Sequence, residues 1–427
     1  MNVLVIGSGG REHALSLKIN ESKNLDKLYC IPGNPGTELF AINIDLPVND
    51  KEKISTFCKE NKIDLVVIGP EQPLVDGLSD YLRSKDFIVF GPSSKAAKIE
   101  SSKTFAKKIM VDADVPTGSF TRFDETEYDD AFNFIGEITF PIVIKYDGLA
   151  AGKGVFICVD KYEAENALFE IFEYKSFAES GNKIIIEEFL IGEEASIFAI
   201  TDGENFVCLP AAQDHKRIGD NDTGKNTGGM GAYAPAPIVT EKILKQVEEK
   251  IIIPTLVQMN KTGHKFIGCL YVGLMITNEG PKVIEFNCRF GDPETQVVLP
   301  LLDGDFLELL YSASSGKLNK EAVKNSGGSS VCVVAASSGY PEIYRKGFEI
   351  KGLDQSDDEI IIYHAGTKKE DNKILTNGGR VLGVTSVIKN FNLQTAQQKA
   401  YDAIKKIHFD GIYYRNDIAE KAFKHLK

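Results

Sequence analysis

The stretch VIGSGGREHAL, residues Val5–Leu15, decides how the fold of this chain begins. An apolar run ends in a glycine-rich turn, and a helical pattern starts directly after that turn. A buried strand, a glycine turn and a helix in this order are typical of the first unit of a parallel α/β sheet. The same order opens the NAD-binding folds, so the details of the turn have to be weighed.

The turn departs from the dinucleotide fingerprint at two points. The fingerprint needs three glycines in the pattern G-x-G-x-x-G and an acidic residue at the end of the second strand. Here Glu12 stands in place of the third glycine, and the second strand ends in LYCIPGN without an acidic residue at its tip. What remains is a helix N-terminus with free backbone N–H groups and a neighbouring cation, Arg11, which together favour an anion. We expect a phosphate-bearing small molecule here, with NAD or a merely tight turn as the alternatives.

Outward from this turn, the chain changes its pattern twice. Four short apolar runs alternate with helical patterns in the first ninety residues, as in a parallel sheet: Val3–Ile6, Lys27–Ile31, Asp64–Ile68 and Phe87–Phe90. From about residue 117 to 200 the pattern is one of strands and hairpins, and residues 211–237 read as one long, polar, glycine-rich loop. The segment KNSGGSS at 324–330 reads as a linker to a small α+β unit.

Composition excludes several classes of function. The net charge is −12 and no run of basic residues occurs, which argues against nucleic acid or an anionic membrane as the main partner. No run of about 18 apolar residues is present, and MNVLVIG reads as a strand, so we expect neither a membrane span nor a secretory signal. Seven scattered cysteines without a CxxC pair indicate reduced thiols in a cytoplasmic protein, and the histidines show no zinc spacing.

A second glycine-rich loop, KYDGLAAGKGV (Lys145–Val155), resembles a P-loop but fails its spacing. Gly154 stands where a P-loop needs Ser or Thr, and a strand, VFICV, follows the loop where a P-loop needs a helix. A glycine-rich loop between two antiparallel strands instead predicts a flap that folds over phosphates, with Lys145 and Lys153 to neutralise their charge. The alternative is an ordinary solvated hairpin.

The stretch KVIEFNCRFGDPE predicts a metal-binding strand. Residues two apart share one face of a strand, so Glu285, Asn287 and Arg289 should lie together, opposite an apolar face. Oxygen ligands from Glu and Asn suit Mg²⁺, which keeps its other positions for water and phosphates. The Arg289 guanidinium can grip a carboxylate or phosphate with two hydrogen bonds. A sheet face turned to water is the alternative.

Taken in order, eight stretches of the chain resemble the glycinamide ribonucleotide synthetase family of the ATP-grasp superfamily. They cover nearly the whole chain: GSGGREHAL, GPEQPLVDGL, KAAKIESSKTFAK, YDGLAAGKGV, EEFLIGEEAS, QDHKRIGDNDTG, NTGGMGAYAPAP and VIEFNCRFGDPETQ. Lys225 and Pro35 depart from the family pattern, and both lie in loops.

The resemblance implies a mixed α/β protein with three domains. It places an N-terminal parallel-sheet domain at 1–100, an ATP-grasp domain at 101–325 with a mobile flap at about 117–190, and a small α+β domain at 326–427. It implies ligation of glycine to 5-phosphoribosylamine with ATP and Mg²⁺ or Mn²⁺, in purine biosynthesis, by a cytoplasmic monomer. Another ATP-grasp ligase or carboxylase, a silent nucleotide-binding module and an NAD-dependent oxidoreductase are the alternatives.

The resemblance also implies roles for individual residues. ATP is expected at Lys103, Lys145, Gly148, Gly152, Lys153, Gly154, Glu187, Glu188 and Leu190, with Glu193 or Glu194 on the ribose. The metal is expected at Glu285 and Asn287, and the ribose 5-phosphate at Gly9, Gly10, Arg11 and Glu12. Arg289 is the candidate for the glycine carboxylate or acyl phosphate, and Asp214 for the glycine ammonium or the incoming amine. Arg289, Asp214 and Lys145 are therefore the expected catalytic residues.

Overall fold

The N-terminal region forms a parallel sheet, as the opening stretch predicts. The structure is a computed structural model that describes residues 1–150, 154–178, 181–354 and 357–426. Five parallel strands lie in the order β3-β2-β1-β4-β5. The strands are β1 Asn2–Gly7, β2 Lys27–Pro32, β3 Ile42–Asn43, β4 Leu65–Ile68 and β5 Val89–Phe90, and the helices are α1 Gly10–Asn20, α2 Lys51–Glu60, α3 Glu71–Val75, α4 Leu78–Arg83 and α5 Ser94–Ser101.

A second sheet, with its own core, follows helix α6 (Lys103–Asp112). It is antiparallel, in the order β6-β9-β7-β8, and two helices cover it. Its elements are β6 Phe120–Asp124, α7 Tyr128–Glu137, β7 Ile142–Tyr146, β8 Val155–Cys158, α8 Lys161–Leu168 with a wider turn at Phe169–Glu173, and β9 Lys183–Glu188. Its apolar residues form a cluster separate from the other cores. We call this unit the flap sheet.

A third, larger antiparallel sheet, the central sheet, has the order β11-β10-β16-β17. The elements from here to its last strand are β10 Glu193–Thr201, β11 Phe206–Cys208, β12 Gln213–Asp214, β13 Arg217–Gly219, β14 Thr223–Asn226, β15 Gly231–Ala234, α9 Glu241–Val247, α10 Ile253–Lys261, β16 Gly268–Thr277 and β17 Gly280–Asn287. A wide helical turn, Glu248–Ile252, joins α9 to α10. The predicted loop at 211–237 is therefore wrong, because β12 to β15 lie within it.

The C-terminal sheet combines late strands with two early ones. Its order is β12-β15-β20-β24-β21, with β25 also paired to β20. The remaining elements are α11 Thr295–Val298, β18 Leu302–Gly304, α12 Phe306–Ser314, β19 Val323–Asn325, β20 Ser329–Ser337, β21 Ile360–His364, β22 Thr367–Glu370, β23 Lys373–Thr376, β24 Arg380–Ile388, α13 Leu393–Ile404 and β25 Ile412–Tyr413. Short 3-10 turns cover Thr37–Leu39, Glu125–Glu127, Leu299–Leu301 and Glu420–His425.

The parallel sheet is buried on both faces, which explains its continuous apolar strands. Leu4 and Ile6 of β1 pack into one core with the central sheet, while Val3 and Val5 pack on the other side with α12. The two sheets thus share a core, and the cleft between the central sheet and the flap sheet opens beside it. In the described part of the chain, no helix is long and apolar enough to cross a membrane. All seven cysteines are free thiols.

Candidate active site

Polar side chains gather on one face of the central sheet. The cross-strand pairing places Ser196, Gly273 and Glu285 side by side on β10, β16 and β17. Because residues two apart share a face, the same face carries six polar or small positions: Glu194, Ser196, Tyr271, Gly273, Glu285 and Asn287. A Cβ on Gly273 would lie 3.1 Å from Cγ of Glu285. Gly273 therefore leaves room for the Glu285 carboxylate.

Glu285 and Asn287 lie on this face as predicted, and their oxygens suit a divalent cation. Burial alone would raise the pKa of Glu285, but Lys216, Lys145 and Lys103 hold it below its usual value, so the carboxylate is ionised. Within the described residues the Asn287 carboxamide has no hydrogen-bond partner, and no group of three His, Cys, Asp or Glu forms a complete metal cage. Two protein oxygens with other positions left for phosphates and water are the arrangement that Mg²⁺ prefers. The residues present fit the ion.

Lys216 is a cation beside this face of the central sheet, and it is not among the predicted site residues. Its Nζ lies 2.8 Å from Oε2 of Glu194 and 3.9 Å from Oε1 of Glu285. Burial alone would lower the pKa of Lys216, but Glu194 and Asp214 raise it well above its usual value. The lysine therefore stays charged between the two carboxylates. Lys216 follows His215 within the recognised stretch QDHKRIGDNDTG, which was the available signal.

Asp214 lies in the same cluster and is buried. Burial raises the pKa of Asp214 to about 8, against the opposing effect of Lys216, with further upward contributions from neighbouring carboxylates. Close by, the Tyr271 hydroxyl donates to Oε1 of Glu294 at 2.9 Å and lies 2.7 Å from Oγ of Ser196. The cluster thus contains a buried carboxyl group and a hydroxyl that lies between Ser196 and Glu294.

Two lysines lie beside the cleft, Lys145 on β7 of the flap sheet and Lys103 at the start of α6. The Lys145 ammonium, on β7, donates to Oε2 of Glu187 at 3.0 Å and to the carbonyl of Ile284 at 3.0 Å. The pairing of β16 with β17 shifts register here, which places Ile284 in a bulge. Lys103 donates to the carbonyl of Gly148 at 3.0 Å. Lys145 and Lys103 therefore both lie near Glu285, where phosphates would need them.

Lys107 was not among the predicted residues, although it lies one helical turn after Lys103. Its Nζ lies 3.3 Å from Oε2 of Glu187. Burial lowers the pKa of Lys107 to about 8, and the attraction of Glu187 only partly offsets that effect. Glu187 thus anchors two lysines with its side chain.

The other predicted nucleotide residues lie at the junction of the two sheets. The Glu188 carboxylate accepts from Ser119 Oγ at 2.6 Å, and Leu190 is half-buried. Glu193 and Glu194 point to opposite faces of β10. Glu193 pairs with Lys424 at 2.8 Å near the end of the chain, whereas Glu194 shares the face of Glu285. Gly148 and Gly154 flank the predicted flap loop, and the predicted residues Gly152 and Lys153 lie outside the described residues.

The glycine turn is filled by the side chain of Glu12. Its Oε2 accepts from the Gly9 N–H at 2.7 Å, and its Oε1 lies 2.6 Å from Nε of Arg11. A Cβ on Gly7 or on Gly69 would lie 2.3 Å from Glu12 atoms. The carboxylate therefore caps α1 and occupies the space that the third fingerprint glycine leaves open for a dinucleotide.

Arg11 and Arg289 meet at the junction of the parallel and central sheets. β17 ends at Asn287, so the predicted shared face stops there, and Arg289 turns toward the parallel sheet. Arg289 pairs with Glu71 at 3.1 Å and with Glu100 at 3.1 Å, and Arg11 lies 3.9 Å from Glu71. Glu71 and Glu100 are not among the predicted site residues, although they lie in the family-like stretches GPEQPLVDGL and KAAKIESSKTFAK.

The fold and this cleft define the class of the protein: it is an ATP-grasp enzyme. A family model described as the phosphoribosylglycinamide synthetase ATP-grasp (A) domain matches residues 101–295. Models for the N domain and the C domain of the same synthetase match residues 1–100 and 330–421. The chain therefore belongs to the phosphoribosylglycinamide synthetase family.

Relatives and solved structures agree with this membership. A phosphoribosylamine–glycine ligase of Caldanaerobacter subterraneus subsp. tengcongensis is 48% identical over 98% of this chain and 99% of its own. One of Vibrio parahaemolyticus is 45% identical over 99% of this chain and 98% of its own. A crystal structure of the Thermotoga maritima ligase has a TM-score of 0.84 at 34% identity and covers 98% of this chain and 100% of its own.

The fold alone is shared more widely. A biotin carboxylase of Campylobacter jejuni, solved as a β-γ-ATP complex, has a TM-score of 0.73 at 15% identity and covers 97% of this chain and 92% of its own. The predicted fold class, the predicted family and the prediction of an ATP-dependent ligase are confirmed.

Proposed function

We propose that this chain joins glycine to 5-phosphoribosylamine with ATP, giving glycinamide ribonucleotide, ADP and phosphate in purine biosynthesis. The observation that carries the proposal is the Glu285–Asn287 pair facing Lys145 and Lys103 across the cleft. An ionised carboxylate, an amide oxygen and two ammonium groups suit a triphosphate with its metal. The names of the full-length relatives supply the substrates.

The chemical problem is that a carboxylate does not react with an amine at neutral pH. We propose that the glycine carboxylate oxygen attacks the γ-phosphorus of ATP, which breaks the bond to ADP and forms glycyl phosphate. The amine then attacks the acyl carbon, phosphate leaves, and the amine loses its proton. Such phosphoryl transfer depends mainly on positioning and neutralisation of charge.

The nucleotide is proposed to be held by groups from both sheets and from the start of α6. Lys103 and Lys145 contact the phosphates, Glu188 and Leu190 lie where the adenine edge would meet backbone groups, and Glu194 contacts the ribose. Glu194 is chosen over Glu193 because it shares the face of Glu285. Glu285 and Asn287 would hold Mg²⁺ or Mn²⁺, which neutralises charge developing on the phosphates when bound.

Glycine and 5-phosphoribosylamine are proposed to bind beside this face of the central sheet. The Asp214 carboxyl group, whose pKa is raised to about 8 mainly by burial, is proposed to face the glycine ammonium or the incoming amine. Arg289 is proposed for the glycine carboxylate or acyl phosphate, which would have to compete with Glu71 and Glu100. The ribose 5-phosphate is proposed to lie at Gly9–Glu12, where it would have to compete with the Glu12 carboxylate for the Gly9 N–H. The seven free thiols support a reducing, cytoplasmic setting, and we propose a monomer.

Glycine-dependent ADP release, with phosphoribosylamine generated in the assay, tests the function. We expect the wild type to respond to glycine and not to bicarbonate. Glu285→Gln and Asn287→Ala should each lower kcat at least 100-fold, on the scale of lost electrostatic stabilisation, without changing the unfolding midpoint by more than a few degrees. Glu279→Gln, on the exposed turn before the same strand, is the matched control and should retain activity. Wild-type turnover in both site variants would refute the metal assignment.

A further inference from the structure

The end of the chain packs against the β13–β14 hairpin, far from it in sequence. Arg415 is the centre of this contact, and its side chain is completely buried. Its guanidinium donates to both carboxylate oxygens of Asp417, at 2.8 and 2.6 Å, and to Oδ1 of Asp222 at 3.0 Å. It also donates to the carbonyl of Arg217 at 2.9 Å. One side chain thus joins the C-terminal segment to the first residue of the hairpin, Arg217, and to its turn at Asp222.

Neighbouring residues of the C-terminal segment add further bonds. Asn416 donates from its backbone and its side chain to Asp220, at 2.8 and 3.0 Å. The Asn221 N–H donates to Asp417 at 2.8 Å, and the Tyr413 hydroxyl donates to the carbonyl of Ile218 at 2.8 Å. The hairpin is therefore held along its length by residues 413–417, which we call the C-terminal clamp.

The turn of the hairpin contains two residues in an unfavourable backbone conformation. Asn221 and Asp222 have φ values of 56° and 54°, in the left-handed region that residues other than glycine rarely occupy. Consecutive residues in that region persist only where the surroundings over-determine them. The clamp supplies those surroundings through Asn221 N–H and the Asp222 carboxylate.

The hairpin begins one residue after Lys216. The Lys216 carbonyl accepts from Thr227, from N–H at 2.7 Å and from Oγ1 at 2.8 Å. The next carbonyl along the chain, that of Arg217, accepts from Arg415. Hydrogen bonds to the carbonyls of Lys216 and Arg217 thus hold the backbone at Lys216. The Lys216 ammonium lies near Glu194 and Glu285 in the cleft.

We propose that Arg415 is a positioning residue, which holds Lys216 against Glu285 through the hairpin. The inference rests on the proposed ligase function of the cleft. The geometry requires a planar group with several fixed donors, because one side chain serves two carboxylates and a carbonyl at once. A lysine at this position cannot reproduce that fork.

A double-mutant cycle tests the proposal. Arg415→Met should lower kcat at least tenfold and raise the Mg²⁺ concentration for half-maximal activity severalfold, as Lys216→Met should. ADP affinity measured without metal should change less than twofold, because Lys103 and Lys145 are untouched. The combined variant should be no worse than Lys216→Met alone, since Arg415 acts through that lysine. Arg345→Met, at an exposed site of the same region, is the control and should match the wild type.

Two results would overturn the proposal. One is a folded Arg415→Met enzyme whose kcat is within twofold of the wild-type value. The other is a combined variant whose loss of kcat is the product of the losses in the two single variants. If Arg415→Met does not fold, Arg415→Lys takes its place in the same cycle and the same outcomes decide. Hydrogen exchange at the amides of residues 217–226 is the second readout. Those amides should exchange faster in either Arg415 variant, and unchanged protection would also overturn the proposal. A wild type that releases no ADP with glycine would refute the proposed function instead, and hydrogen exchange would still test the clamp.

Discussion

At the scale of single residues, Glu71 joins two domains through charge. It lies at the start of α3, and its carboxylate faces Arg289 and, at longer range, Arg11. Burial alone would raise the pKa of Glu71, yet the two guanidinium groups lower it from 4.5 to about 2. A carboxylate whose pKa is depressed on folding stabilises the folded state above its unfolded pKa.

We therefore expect Glu71→Gln to lower the free energy of unfolding by about 2 kcal/mol at pH 7, allowing for solvent screening of a side chain that is 30% exposed. The loss should stay constant down to about pH 5 and shrink as the pH falls through 4.5 toward 2, because the wild-type carboxylate is then protonated as well. Urea unfolding of both proteins from pH 7 to pH 3 measures the difference. A difference that grows as the pH falls would contradict the assignment.

Among single residues, some members of the site can be predicted from the sequence and others cannot. Glu285 and Asn287 follow from strand alternation, which needs no knowledge of distant contacts. Lys216 and Glu71 could not be assigned in this way, because their roles come from carboxylates and guanidinium groups that are remote in sequence. Arg289 lies on the predicted segment, but its partners, Glu71 and Glu100, lie on helices α3 and α5 of the N-terminal region.

At the scale of elements, the turn between β1 and α1 explains why this fold does not need a third fingerprint glycine. Glu12 fills the turn and caps the helix, and Gly69, at the end of β4, makes room for it. A methyl group on Gly69 would lie 2.3 Å from Oε1 of Glu12, a distance at which atoms have to move.

We expect Gly69→Ala to destabilise the wild type by about 1–3 kcal/mol, the usual cost of overpacking. In a Glu12→Gly background the same change should cost much less, because the atoms it meets are gone. Gly136→Ala, on α7 with only the Lys161 ammonium 3.7 Å away, is the control and should be neutral or slightly stabilising. Thermal unfolding of the four proteins of the cycle measures the coupling. Equal costs in the two backgrounds would show that Glu12 does not fill the turn.

Element prediction succeeded where apolar periodicity is long and failed where strands are short and polar. The helical pattern that starts after the glycine turn matches α1, Gly10–Asn20, and the apolar run Lys27–Ile31 lies within β2, Lys27–Pro32. Residues 211–237 were read as a loop because β12 has two residues and β13 to β15 have three or four each. One of the two partners of β15 is β20, which lies almost a hundred residues later, so no local pattern predicts that pair.

At the scale of the whole molecule, the C-terminal sheet crosses the predicted domain boundary at residue 326. β15 pairs with β20 over four residues, from Gly231 opposite Val333 to Ala234 opposite Ser330. Tyr233 and Ala236 belong to the same apolar cluster as the C-terminal residues. Two strands from the middle of the chain, β12 and β15, therefore complete the sheet that β20, β21, β24 and β25 form. The segment predicted as a linker, residues 324–330, lies mostly within strands, because β19 ends at Asn325 and β20 begins at Ser329.

This shared sheet predicts that residues 326–427 do not fold alone. Without β15, the edge of β20 would expose unpaired N–H and C=O groups beside apolar side chains, which favours association between copies. The separated fragment should therefore lack a cooperative thermal transition and should aggregate, whereas a fragment of residues 211–427 should recover more protected amides because it restores β12 and β15. Circular dichroism during heating and hydrogen exchange measure the two fragments against the full chain. A cooperative transition in the shorter fragment would mean that the late strands and α13 already form a sufficient core, and that β15 adds to the sheet without completing it.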